Sequence, residues 1–215
     1  MGEERGASGH GGSGAAATST AKSQRTRESL RQAAIRHFVE HGFEDASVPA
    51  IAAEVGVTER TFYRHFATKD EVLFADLTQG LPWFATAVAE RLDAGEDTVA
   101  AVLHGVQQPT ADPRVMLEIA RLRTRLLSPA RIERAYRETQ GVMAAHLRQL
   151  LAERGVDRLA AAVAAEALSG AVFAALTVWT DGSGRRTLAG LVDLTRAALE
   201  QVRPALPGDG GATSA

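Results

Sequence analysis

Apolar positions recur at helical spacing through most of the chain, and no stretch keeps the two-residue alternation of a half-buried strand. The run from Ser47 to Lys69 is the most informative. Ser47 can accept a backbone N–H at a helix start, and Pro49 in the first turn removes a donor that would be orphaned there. Ile51, Ala52 and Val55 give that helix an apolar face, and Gly56 follows where a left-handed residue closes it. The chain turns through Val57 to Thr58, a second N-cap, and Glu59 to Phe66 returns to helical period with Phe62 and Phe66 four apart on one side. Arg60, Thr61, Arg64 and His65 face elsewhere, with Tyr63 beside them.

The same reading sets the flanking elements. Residues 1–24 are mostly Gly, Ser, Ala and Thr, with little to bury, and are expected to be a disordered arm. Lys22, Arg25 and Arg27 at its end either solubilise the chain or touch phosphate. Thr26 to His41 predicts an amphipathic helix with Leu30, Ala33, Ala34, Phe38 and Val39 inward and Gly42 as its stop. Lys69 to about Leu92 predicts a long helix, with Leu73, Leu77, Leu81, Phe84, Val88 and Leu92 in register and a kink at Pro82. Further helices are expected over Thr98–Gln107, ended by Pro109, then Pro113–Leu127, capped by Asp112, and Pro129–Arg154, capped by Ser128. Two more run from Asp157 to about Thr180 and from Arg186 to Arg203.

The result is an all-α chain: a two-helix unit with its flanking helix over 25–70, a larger helical part over 71–203, and a disordered tail over 204–215. Val163, Ala167, Gly170 and Ala174 form a flat small-residue seam, and Leu188, Leu191, Val192, Thr195, Leu199 and Val202 an apolar stripe. Such a hairpin either completes the monomer's core or, doubled by a two-fold axis, makes a four-helix interface. The dimer is favoured, because a helix-turn-helix gains affinity from a second half-site.

Two short helices joined by a Gly-containing turn are the geometry whose second helix enters the DNA major groove. The pair alone fits an ordinary hairpin with a solvated polar face equally well. Arginine can bond guanine edges in bidentate fashion, whereas Thr, Tyr, His and Lys reach phosphates or bases by single contacts. The net charge of -2 speaks against a nonspecific nucleic-acid coat, so any DNA attraction comes from where the charges sit. With 45% apolar residues the 215-residue chain can build a real core, and no run is expected to span a bilayer, which makes a cytoplasmic location the default. The absence of cysteine excludes disulfides and thiolate metal sites.

His37 and His41 with Glu40 match a zinc-peptidase spacing, but no third ligand accompanies them and the reading is set aside. An all-helical enzyme is a remote alternative, since there is no phosphate loop, Cys nucleophile or metal set, and no cofactor is expected. Candidate ligand-pocket residues are the aromatic and Met positions Trp83, Phe84, Met116, Tyr136, Met143, Phe173 and Trp179. His104, Arg121, His146 and Glu166 are possible polar handles. Glu166, an acid in an Ala-rich helix, is expected to pair with Arg121 or Arg123.

Residues 33–73, AAIRHFVEHGFEDASVPAIAAEVGVTERTFYRHFATKDEVL, resemble the tetracycline-repressor-like (TetR) family of transcriptional regulators. The resemblance rests on a helix ending in Gly-Phe, the two-helix unit, Tyr63-x-His65-Phe66 and Lys69. It implies a homodimer of nine-helix subunits on a palindromic operator, most often a repressor released by a small-molecule effector. It also implies phosphate contacts from Ser47, Thr58, Tyr63, His65 and Lys69, and base reading by Arg60, Thr61 and Arg64. A ligand-independent or activating regulator of the same fold is the alternative.

Overall fold

The computed structural model describes residues 12–108, 113–182 and 187–207. Among them are nine α-helices, a short 3-10 turn at Arg203–Ala205, and no strand. The helices are α1 (Gly12–His41), α2 (Val48–Glu54), α3 (Glu59–His65), α4 (Lys69–Asp93), α5 (Thr98–Gln107), α6 (Pro113–Leu126), α7 (Pro129–Glu153), α8 (Arg158–Asp181) and α9 (Leu188–Val202). The chain divides into two compact units, Met1–Val72 and Leu73–Ala215, with the boundary inside α4.

In the N-terminal unit, Leu30, Ala33, Ala34 and Phe38 of α1 are buried together with Phe43, Ile51, Ala52, Phe62, Phe66 and Val72. Phe38 and Phe43 meet at 5.0 Å between ring centroids, so the residue after the helix stop folds back onto the helix. Gly42 makes that reversal at φ +85°, a region open to glycine. Val39 is 51% exposed, contrary to expectation, because it lies about 100° around the helix from Phe38. The helix also begins at Gly12 rather than near Thr26. Once the packed segment nucleates a helix, each residue added upstream closes a backbone bond at little penalty, and the Ala-rich stretch favours this. The disorder expected of residues 1–11 lies outside the described residues.

The C-terminal unit is built around α8, whose Ala161, Ala164, Ala165, Leu168, Val172, Ala175 and Leu176 are buried between α7 and α9. Contrary to expectation, this helix is long and apolar enough to cross a bilayer by length and composition alone, but 56% of its most apolar window is buried within the unit. Thr195 and Leu199 of α9 are fully buried too, which makes them core rather than surface. Asp97 caps α5 by accepting from Ala100 N at 3.0 Å, and it also takes Arg203 Nη1 at 2.9 Å. That pair and Leu206, packed on Leu151, Ala161 and Ala164, hold residues 203–207 in place, where a disordered tail was expected. Ser128 occupies the N-cap position of α7 without making a side-chain cap bond. The stop expected at Pro109, the cap from Asp112 and the helix start at Arg186 lie outside the described residues. Helix α4 continues through Pro82, where the amide that would serve the Thr78 carbonyl is missing.

Candidate nucleic-acid interface

Both caps of the two-helix unit form as the residue types dictate. Ser47 Oγ accepts from Ala50 N at 3.5 Å, and Thr58 Oγ1 accepts from Thr61 N at 3.3 Å. Between them Gly56 sits at φ +71°, and Val57 N reaches back to Ala52 O at 2.9 Å, which closes α2 and sets the turn. Phe62 and Phe66 are fully buried with ring centroids 5.5 Å apart, so α3 is fixed by one face. Its other face carries Arg60, Tyr63 and Arg64, all exposed, with Thr61 half-buried. Ser47 and Thr58 are exposed beside them, so the seven predicted DNA-contact side chains other than Lys69 lie on or next to α2 and α3, with Thr61 and His65 half-buried.

Three long-range contacts hold this unit in shape. The Arg27 guanidinium lies 4.3 Å from the Phe66 ring centroid and donates to His65 O, placing a cation at the carbonyl end of α3 where the helix dipole favours it. Arg27 is therefore a helical clamp and not part of a flexible arm. Lys69 Nζ donates to Phe43 O at 2.8 Å, Glu44 O at 3.0 Å and Ala46 O at 3.2 Å, so its three protons are directed at the loop before α2. Glu54 takes Arg36 Nη2 at 2.6 Å and His37 Nε2 at 2.8 Å, tying α2 to α1. The Arg36 bond, followed by that of His37, lowers the Glu54 pKa. Thus His37, from the zinc-like spacing, is engaged by a carboxylate on the neighbouring helix.

His65 is half-buried, and its Nε2 is buried with no hydrogen-bond partner. Burial lowers its pKa, and the nearby Arg64 and Arg27 charges lower it further, so the ring is neutral near pH 7.

In the C-terminal unit the pocket candidates separate. Phe84, Met116, Met143 and Phe173 line one apolar cavity of about 140 Å³. Tyr136 and Phe173 line a wider groove of about 660 Å³, with Arg137, Gln140 and Thr180 among its polar groups. Trp83 is 69% exposed on a separate surface groove with Glu90, Arg91 and His104. Trp179 is buried and donates from Nε1 to Thr187 O at 3.0 Å, a bond that fastens α8 to the start of α9. Arg121 is exposed and paired with Glu118, and Glu166 is exposed, so neither lines these cavities. The expected pairing of Glu166 with Arg121 or Arg123 is not formed, and an exposed carboxylate needs none. His146 is half-buried, its Nδ1 without a partner.

The buried arginine pairs instead with Asp76 of α4. Arg123 and Asp76 side chains are only 2% and 6% exposed, Arg123 Nε donates to Leu73 O at 2.6 Å, and its guanidinium stands 4.8 Å from the Phe74 ring centroid. Tyr136 lies next to this pair, and burial raises the pKa of its hydroxyl, which has no partner at hydrogen-bonding geometry.

A clamped two-helix unit with arginines and a tyrosine on its exposed face has the geometry of a helix-turn-helix. Residues 30–75 match the model for bacterial regulatory proteins of the tetR family, so this segment is similar to that family. It is 38% identical over 81 residues to the HTH-type transcriptional regulator TcmR of Streptomyces glaucescens, a match spanning 38% of this chain and 35% of that protein. Its fold is similar to that of Thermus thermophilus FadR, a TetR-family transcriptional repressor solved in complex with lauroyl-CoA. That likeness has a TM-score of 0.50 at 20% identity and covers 88% of this chain and 99% of FadR.

Proposed function

We propose that the protein is a cytoplasmic repressor that binds a palindromic operator as a homodimer and is released by a small-molecule effector. The observation that carries the DNA-binding part is the exposure of Arg60, Tyr63 and Arg64 on a helix whose opposite face is locked by Phe62 and Phe66. Arg60 and Arg64 read base edges together with Thr61, while Tyr63, Ser47 and Thr58 contact phosphate. Lys69 and His65 act mainly on the shape of the unit, and any phosphate contact from them is secondary. Residues 25–70 form the DNA-binding head and 71–203 the regulatory and dimerisation part.

The dimer face follows α8. Leu159, Val163 and Val178 are exposed apolar side chains, and with Ala167, Gly170 and Ala174 they recur at spacings of three and four along one stripe. Leu188, Leu191, Val192 and Val202 flank it from α9, half-buried in the single chain. Paired recognition helices must lie about 34–36 Å apart to enter successive major grooves. Helix α4 starts in the DNA-binding unit and contributes Leu77, Leu81 and Phe84 to the apolar cavity, so a ligand there bears on the helix that leads to the head. It shifts the equilibrium only through its preference for one state over the other. The acyl-CoA complex of FadR supports a ligand-responsive reading through fold alone.

Gel-shift titrations with variants test the assignment. Tyr63→Phe is expected to weaken binding to every operator variant alike, by about 1 kcal/mol for the lost hydroxyl bond. Arg60→Ala or Arg64→Ala is expected to change the order of preference among operators, with about 1–3 kcal/mol lost at the base each one reads. A uniform loss from both arginine variants contradicts base reading.

A further inference from the structure

The apolar cavity of the C-terminal unit carries a ligand assignment, which rests on the effector reading above and narrows it. At about 140 Å³ it matches the engineered cavity of about 150 Å³ that accepts benzene. Leu77, Leu81, Phe84, Met143, Phe173 and Leu176 supply most of its wall. Its polar lining is selective in a way that composition alone does not reveal. Thr139 Oγ1 donates to Ala135 O at 2.8 Å and Thr195 Oγ1 donates to Leu191 O at 2.8 Å, so each hydroxyl has used its proton and faces a ligand only as an acceptor. Asp76 is an acceptor whose charge is already matched by Arg123, and Gln108, the fourth polar wall residue, has its Nε2 engaged by His104 Nε2 at 2.7 Å.

A cation entering here loses its hydration and finds no unmatched charge, whereas an anion meets acceptors in an apolar shell. We propose that the cavity binds a neutral, benzene-sized group carrying a hydrogen-bond donor, the chemistry of a phenol. The ring fills the space beside α4, and the hydroxyl donates to the wall of acceptors.

Calorimetric titration of the full chain with phenol, toluene, benzoate and benzylammonium tests this. Phenol is expected to bind saturably at one site per chain, toluene about tenfold more weakly for want of the donor, and the two ions without saturation. Val172→Phe, which fills the cavity from α8, is expected to abolish phenol binding while helical circular dichroism is retained. Leu191→Phe, from the half-buried side of α9, gives the same result if Val172→Phe fails to fold. Benzoate or benzylammonium binding as tightly as phenol overturns the assignment, as does unchanged phenol binding in a folded, filled variant. Gel shifts on the same samples separate the two readings. Phenol binding without any change in operator affinity upholds the cavity and contradicts the effector role, and failure to bind any operator contradicts the regulator reading while calorimetry still decides the cavity.

Discussion

His65 sits at the last turn of α3 with one ring nitrogen sealed from water and unpaired, and its environment opposes a second proton. Burial, Arg64 and Arg27 all lower its pKa from the ordinary 6.5, so the unfolded chain takes up this proton at a higher pH than the folded one. Stability from this residue is therefore present above about pH 6.5 and is lost as pH falls through that value toward the folded pKa. Thermal melts between pH 7.5 and 5.5 should show this decline, and His65→Phe should remove part of it. Equal acid sensitivity in the variant would mean that His65 titrates as it does in water. The neighbouring Phe62 and Phe66 were legible as core from spacing alone, because a contact between residues four apart on one helix is a local property. The neutrality of His65 was not, since it depends on what covers the ring.

The elements themselves were mostly readable. Starts and stops of α2, α3, α4 and α5 follow from Ser47, Gly56, Thr58 and the apolar period, and the structure places them within a residue or two. The clamps were not readable, because their partners lie far away in sequence: Arg27 reaches 38 residues to His65, Lys69 reaches 26 residues to Phe43, and Arg123 reaches 50 residues to Leu73. A basic residue near a helix-turn-helix suggests phosphate, and only coordinates show that Lys69 is turned to carbonyls. Lys69→Ala separates the two roles. Loss of three charge-assisted bonds to the loop before α2 is expected to destabilise the protein by about 1–3 kcal/mol in denaturant titration, in addition to any effect on DNA. A variant with unchanged stability and weakened DNA binding would restore the phosphate role.

Across the whole molecule, the sequence marked an N-terminal head by local motif and a C-terminal unit by helical period, and the two differ in how much else it revealed. The head's chemistry is written in adjacent residues. The cavity is assembled from helices α4 to α9, so periodicity could nominate Phe84, Met116, Met143 and Phe173 but could not separate them from Trp83, Trp179, Arg121 or Glu166, which share their composition and not their surroundings. Spacing makes the α9 stripe a single surface, yet Thr195 and Leu199 turn inward while α8 exposes Leu159 and Val178, because a helix packed on two neighbours has more than one apolar face. The central claim is that two copies of the head read a symmetric site. Selection of bound sequences from a random DNA pool by the full chain tests it most directly. The expected product is an inverted repeat with half-site centres about one helical turn apart, or a multiple of it. Recovery of a single asymmetric half-site, or of no shared sequence, would contradict it.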